Sequence, residues 1–127
     1  MLLYITLGTN DLDRARVFYD AALGALSYTC HRADEVELGY AAEGDSRSGL
    51  WVTTPFNRKA DTVGNGSMVA LDAPSRASVD AFYAAALASG GTDDGKPGLR
   101  PHHANFYACY VRDPDGNKLS AVCERTE

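Results

Sequence analysis

Two adjacent histidines, His102 and His103, are the side chains in this sequence best suited to acid–base chemistry, because imidazole titrates near pH ~6.5. They follow Pro101 and precede an apolar run that starts at Asn105. Neighbouring residues of an extended segment point in opposite directions, so at most one of the two can face a given site. Either could serve as a general base. The simpler interpretation is a pair of exposed loop histidines, and His31 is also expected at the surface.

Three cationic residues in loops, Arg58, Lys59 and Arg100, could hold a carboxylate or a phosphate at the mouth of a cavity. Solvated loop charges are the commoner case. The sequence contains no G-x-S-x-G motif, no H-E-x-x-H motif and no carboxylate pair at catalytic spacing. Residue types alone therefore do not assign a reaction.

The three cysteines, Cys30, Cys109 and Cys123, form an odd set without C-x-x-C spacing. Cys109 and Cys123 lie in apolar alternating runs, where a thiol acts as a small hydrophobic side chain. A metal pair of one histidine with Cys109 is conceivable, but no further ligands accompany it. Buried reduced thiols are expected, and they favour a cytoplasmic location.

Composition limits the classes of function. The 127 residues are 45% hydrophobic and 23% charged, which is typical of one globular domain spanning 1–127. A formal charge of −5 without a Lys/Arg run argues against binding to nucleic acid. The N-terminus lacks the basic flank of a signal peptide, and no apolar run approaches the roughly 20 residues that cross a bilayer. No membrane partner is expected.

The elements that would position these residues are written twice. Phe18-Tyr19-Asp20-Ala21-Ala22-Leu23 returns 64 residues later as Phe82-Tyr83-Ala84-Ala85-Ala86-Leu87. The same offset carries Tyr4-Ile5-Thr6-Leu7 onto Met68-Val69-Ala70-Leu71. A constant offset across a strand, a turn and a helix predicts one supersecondary unit used twice.

In module one (1–54), alternation predicts a strand at 2–8, and helical periodicity follows from Leu12 to Leu23. Asn10 or Asp11 caps this helix, and Gly24 is expected to supply a left-handed exit. Three more strands are predicted: Leu26–Cys30, Val36–Ala41 and Leu50–Thr53.

A polar linker (55–66) leads to module two (67–127). Its predicted elements are a strand at Met68–Asp72, a helix ending at Gly90-Gly91, a glycine–proline loop at 92–101 with a short strand near Leu99, and a hairpin of Asn105–Arg112 with Lys118–Cys123. The hairpin turn is Asp113-Pro114-Asp115-Gly116, in which proline presets φ and glycine takes the left-handed position.

Two β-α-β-β-β modules, the opening YITLGTNDLDRARVFYDAALG and the closing FYACYVRDPDGNKLSAVC resemble the vicinal oxygen chelate superfamily. This is the family of glyoxalase I, fosfomycin- and bleomycin-resistance proteins and extradiol dioxygenases. The resemblance covers nearly the whole chain. It implies an α+β fold in which two βαβββ modules form a curled, cup-like mixed sheet with helices outside.

The resemblance also locates the family's four metal-ligand positions. They fall on Tyr4, Met68 and Ser120, and at or next to Trp51. The family's ligands are histidine, glutamine and glutamate, and none of these four residues replaces them well for zinc, iron, magnesium or manganese. The expectation is a cup without a metal or another cofactor.

Alternation along the strands indicates which side chains would share the inner face of that cup. The set includes Tyr4, Thr6, Trp51, Met68 and Ser120. Tyr107 is added as a candidate, although the sequence does not decide whether its set or the set of Phe106, Ala108 and Tyr110 faces inward. These rings and hydroxyls suit a small, partly aromatic molecule. A packed core without a cavity is the alternative.

Three functions remain open. The first is binding of a small molecule in a metal-free cup, as in the drug-sequestering resistance proteins. The second is a lyase or isomerase of glyoxalase type that uses a metal at other residues, or His102 or His103. The third is a structural or regulatory dimer module. The resemblance implies a homodimer in each case.

Overall fold

A computed structural model describes residues 1–127. The chain forms two helices and eight strands. In order they are β1 Ile5–Gly8, α1 Leu12–Gly24, β2 Tyr28–Ala33, β3 Glu37–Ala42, β4 Leu50–Thr53, β5 Val69–Asp72, α2 Arg76–Ala88, β6 Thr92–Leu99, β7 Tyr107–Arg112 and β8 Lys118–Cys123.

The strands form two four-stranded mixed sheets of identical topology. Their orders are β1-β4-β3-β2 and β5-β8-β7-β6. In each sheet the first strand pairs parallel with the last, and the other pairs are antiparallel. The α+β class and the two βαβββ modules are confirmed, but the strands form two separate sheets that do not close into one curled sheet.

The register relates the two sheets residue by residue across three of their four strands. Thr6 pairs with Trp51 in the first sheet, and Ala70 pairs with Ser120 in the second. Gly39 lies on the other side of Trp51, and Tyr110 lies on the other side of Ser120. Trp51 is therefore the structural counterpart of Ser120, and Gly39 is the counterpart of Tyr110.

Both helices are fixed by an N-cap and an apolar stripe. The Asp11 carboxylate accepts a hydrogen bond from the Arg14 backbone N–H at 3.0 Å, and Ser75 forms a capping box with Ser78. Phe18 and Phe82, which are related by the repeat, are fully buried in the same hydrophobic core. This core lies against one face of each sheet, and the opposite face of each sheet points away from the helices.

Two local predictions were wrong. Residues 92–99 are a strand, not a loop: β6 lies at the sheet edge, where register shifts beside Gly95 and Gly98 accommodate glycine, and where Pro97 is tolerated although it has no N–H to donate. Gly24 ends α1 without a left-handed conformation, and the residue with positive φ is Ser27, at 65°.

The turn 113–116 joins the two modules. Asp113 is 3% exposed and accepts a hydrogen bond from the Tyr19 hydroxyl of module one at 2.5 Å. The Asn117 side-chain amide donates both to Asp113 and to the Gly8 carbonyl oxygen, at 2.8 and 2.9 Å. Gly116 takes the predicted positive φ, 96°. The D-P-D-G-N motif is thus explained by a buried contact between the halves.

Neither helix is long and apolar enough to cross a bilayer.

Candidate functional site

The sheet of module one carries a hollow on the face away from the helices. Two adjoining cavities of about 450 and 620 Å³ share Tyr4, Thr6 and Glu37. We call them together the module-one hollow. The first cavity is completed by Arg47, Ser48 and Trp51, and the second by Val36, Thr53, Thr54, Pro55, Phe56 and Arg58.

Strand alternation explains why these side chains face the hollow. Along β4, Leu50 and Val52 are buried in the helix-side core, so Trp51 and Thr53 project from the opposite face. Thr6 projects from β1 in the same way, because it pairs with Trp51. The positions of these residues follow from the period of two that the sequence displays.

The indole of Trp51 lies directly over Gly39 of the neighbouring strand. A Cβ placed on Gly39 would come within 2.7 Å of the Trp51 ring and of the Ser48 hydroxyl oxygen. Only glycine therefore leaves room for the Trp51 ring at this position on β3. Trp51 is only partly buried and lines the hollow, so its indole supplies part of an apolar wall.

A third cavity, of about 300 Å³, lies at the seam between the modules. Thr6 and Met68 both line it, together with Asn117 and Lys118 of the second hairpin. Met68 is 45% exposed and borders this seam rather than the module-one hollow. Thr6 is the one predicted site residue that lines both spaces.

Module two has no comparable hollow around Ser120. Ser120 is fully buried, its hydroxyl has no hydrogen-bond partner, and it lines none of the described cavities. Beside it, the Tyr110 ring lies over Gly95 and within 5.4 Å of the charged groups of Arg100 and Lys118. The Arg100 guanidinium donates to the carbonyl oxygen of Lys96 in the preceding strand β6 at 2.5 Å, so it already has a partner.

The four residues that the resemblance assigns to metal-ligand positions do not fit a divalent ion. Two are exposed on different cavities (Tyr4 and Met68), Trp51 is an indole, and Ser120 is enclosed. Nowhere in the chain do three or more histidine, cysteine, aspartate or glutamate side chains converge in a way that could hold a metal. Thioether, phenol and indole leave the charge of a hard cation uncompensated.

His102 and His103 lie in the loop between β6 and β7 and line none of the cavities. His103 uses both ring nitrogens: Nδ1 accepts from the Asn105 backbone N–H at 3.1 Å, and Nε2 lies 2.6 Å from a Glu124 carboxylate oxygen. The exposed His102 ring meets the Phe106 ring edge-on. The structure does not bring either histidine to the hollow.

Tyr107 lies on the opposite side of its sheet from Tyr110. Its hydroxyl donates to the Asp80 carboxylate of α2 at 2.7 Å, and Arg76 lies over its ring. The hydrogen bond to Asp80, with burial, raises the pKa of Tyr107 above its ordinary value. Tyr107 therefore packs on the helix side with Cys109, and Tyr110 is the residue of this strand that faces away from the helices.

The sequence analysis missed seven residues that line the hollow: Val36, Glu37, Arg47, Ser48, Thr54, Pro55 and Phe56. Glu37 has a signal, because it alternates with Gly39 in the same predicted strand. Arg47, Ser48 and Phe56 lie in irregular segments, which carry no periodicity that would orient a side chain.

Comparison with known proteins places this architecture. Residues 1–120 match the family model of the Glyoxalase/Bleomycin resistance protein/Dioxygenase superfamily. No curated protein matches the chain. Among solved structures, a glyoxalase/bleomycin resistance protein from Albidiferax ferrireducens T118 is similar, with 38% identity, 97% of both chains covered and a TM-score of 0.85.

Two further structures share the fold. A glyoxalase-related enzyme from Fulvimarina pelagi has 21% identity and a TM-score of 0.76, with 97% of this chain and 87% of that chain covered. A glyoxalase I mutant from Zea mays has 28% identity and a TM-score of 0.69 over 95% of this chain, and the match spans 46% of the maize chain.

Proposed function

The chain belongs to the Glyoxalase/Bleomycin resistance protein/Dioxygenase superfamily, and from that premise we propose that it binds a small, partly aromatic molecule in the module-one hollow without a metal. The protein holds the molecule between ring surfaces and orients it with hydroxyl groups. Binding of this kind needs a concave wall and a few polar groups, and it needs no ligand set for an ion.

One observation carries this proposal: the Trp51 indole is seated on Gly39 so that one side of it faces the hollow. Tyr4 and the Thr6 hydroxyl border the same space. Aromatic side chains provide much contact area per residue, and a ring fixed against the sheet loses little freedom on binding. Volumes of about 450 and 620 Å³ fall within the range for small-molecule sites of roughly 300–1,000 Å³.

The proposal is tested by thermal unfolding in the presence of neutral, anionic and cationic naphthalene and indole compounds. A compound that fills the hollow at 100 times its Kd adds about 2.7 kcal/mol to the unfolding free energy. We expect the shift in the native protein, its loss in Trp51→Ala, and its retention in Leu99→Ala, which removes an exposed apolar side chain elsewhere. A shift that persists in Trp51→Ala would refute the assignment to this hollow.

A lyase or isomerase of glyoxalase type is the second candidate, because the chain resembles maize glyoxalase I and because His103 and Glu124 form an imidazole–carboxylate pair. This pair supports catalysis less well than the hollow supports binding, since it borders no cavity. Elemental analysis of the purified protein separates the enzyme from the binding protein. A stoichiometric transition metal, together with a lyase or isomerase activity that is lost in His103→Ala, would favour the enzyme.

We also propose that the chain forms a homodimer in the cytoplasm. The exposed apolar residues Met1, Leu2 and Leu3 support pairing, since they continue the edge strand β1. Three free cysteines support a reducing compartment. Sedimentation at several concentrations tests the dimer. If it forms and no compound binds, a structural or regulatory module becomes the better description.

A further inference from the structure

Most cationic side chains of this protein are already engaged. Seven make ion pairs or side-chain hydrogen bonds to their neighbours, and Arg76 lies over the Tyr107 ring; the seven are Arg14, Arg16, Arg32, Arg100, Arg112, Lys118 and Arg125. Four remain without a hydrogen bond, an ion pair or a ring contact, and they are Arg47, Arg58, Lys59 and Lys96.

Three of these four border the module-one hollow or the space next to it. Arg47 lines the cavity that contains Trp51, and Arg58 lines the adjoining one. Lys59 lines a further cavity of about 330 Å³ that shares Arg58 with the hollow. In a chain with a net charge of −5, unengaged positive charge is thus concentrated at one concave face.

The only acidic residue of the hollow does not offset this charge. Glu37 lies 3.6 Å from the Arg32 guanidinium, which also pairs with Asp34 at 3.3 Å. A cationic ligand would have to compete with Arg32 for that carboxylate. An anionic ligand meets arginines that have no other partner.

We propose that the ligand of the hollow is a small planar aromatic carboxylate, an inference that rests on the function proposed above. Its ring lies against Trp51 and its carboxylate pairs with Arg47, which lines the same cavity. A guanidinium matches a carboxylate with two parallel hydrogen bonds, whereas a neutral amide accepts only at one oxygen. Arg58 lies across the shared wall of Tyr4 and Thr6 and attracts the anion electrostatically.

The test compares 2-naphthoate with 2-naphthamide, which share a ring system and differ in charge. Trp51 is the only tryptophan, so its indole N–H gives one unambiguous NMR signal inside the hollow. We expect both compounds to shift this signal and naphthoate to bind at least tenfold more tightly. Raising the salt concentration from 50 to 500 mM should weaken the binding of 2-naphthoate but not of 2-naphthamide, because salt screens the attraction between charges.

Three variants locate the effect. Arg47→Ala should weaken the binding of 2-naphthoate at least tenfold and leave the affinity for 2-naphthamide unchanged. Arg58→Ala should weaken naphthoate about threefold, as expected for a charge that attracts at longer range. Lys96→Ala removes an unengaged cation that lines none of the described cavities, and it should change neither affinity.

The outcomes separate the two proposals. Equal affinity for acid and amide, or naphthoate binding that survives Arg47→Ala, would overturn the carboxylate inference while the hollow remains a binding site. A Trp51 signal that responds to neither compound would overturn both.

Discussion

The two modules share a topology and a core but differ on the face away from the helices. In module one an aromatic ring rises from β4 and covers a glycine of β3; in module two the ring rises from β7 and covers a glycine of β6. The ring-on-glycine contact is thus moved one strand toward the sheet edge. Module two therefore has Ser120 at the position where module one has Trp51. The face of module one that points away from the helices carries a hollow, whereas the same face of module two has none around Ser120.

The two modules match where their side chains enter the core and differ on the faces that point away from the helices. Phe18 and Phe82 are equally buried. Tyr19 and Tyr83 are not equal: the Tyr19 hydroxyl is buried against Asp113, whereas the Tyr83 hydroxyl meets the exposed Asp93 at 3.0 Å. The following predictions test where the halves are equivalent and where they are not.

The largest effect is expected where the modules are equivalent. Phe18→Ala and Phe82→Ala each remove a fully buried ring and should each cost about 3–5 kcal/mol of unfolding free energy. Chemical denaturation of the two variants measures both costs. A difference of more than about 2 kcal/mol between them would break the equivalence of the two halves of the core.

The next effect separates the paired tyrosines. Tyr19→Phe removes a buried hydrogen bond to a carboxylate and should cost about 2 kcal/mol. Tyr83→Phe should change stability little, because its hydroxyl donates to an exposed carboxylate. Equal losses in the two variants would contradict the special role of the seam.

The stability at alkaline pH should also depend on Tyr19. Burial and the Asp113 carboxylate raise the pKa of Tyr19 well above its ordinary value. The phenol of the unfolded chain therefore ionises first, so its contribution to stability is complete below pH ~10 and is lost as the pH rises above that value. The free energy of unfolding, measured by chemical denaturation between pH 8 and 11, should fall more steeply with pH in the native protein than in Tyr19→Phe.

A smaller effect is expected from closing the open face. Gly39→Ala places a Cβ against the Trp51 ring and should cost about 1–3 kcal/mol, because the ring must leave its seat. Binding of 2-naphthoate should be lost with it. Gly49→Ala is the matched control, since nothing lies within 4 Å of a Cβ at that position. Unchanged binding in Gly39→Ala would show that the seated ring does not form the wall.

The smallest effect concerns the closed face. Ser120→Ala removes a buried hydroxyl without a partner and should stabilise the protein by up to about 1 kcal/mol. Ser78→Ala removes a hydroxyl that completes a capping box and should destabilise by about 1 kcal/mol. If Ser120→Ala were destabilising, the Ser120 hydroxyl would have a partner such as an enclosed water.

Periodicity and repetition predict most of the fold. Alternation along β1 and β4 orients Thr6 and Trp51, and the turn chemistry of residues 113–116 predicts the last hairpin. The strand β6 was missed because its glycines, proline and charges resemble a loop, and only its edge position permits them. The division into two modules and a linker, and the binding roles of the predicted residues, stay predictions.

The site was less predictable than the fold, because its shape depends on contacts between elements that are distant in the sequence. Both residue sets of β7 are apolar, so the sequence could not tell that Tyr107 faces α2 while Tyr110 faces the other way. Ser120 is fully buried on a strand that lies between β5 and β7, so its burial depends on neighbouring strands that local spacing does not reveal. Arg47 and Phe56 reach the hollow from loops, where neighbouring strands and not local spacing decide direction.

The turn 113–116 has a consequence for how the chain is held together. The Asp113 carboxylate and the Asn117 amide form hydrogen bonds with Tyr19 and with the Gly8 carbonyl oxygen of module one. The peptide between Thr53 and Val69 therefore connects the two modules but is not their only link. Cut within that peptide, the two fragments carry complementary partners for one another and should reassociate as a noncovalent heterodimer.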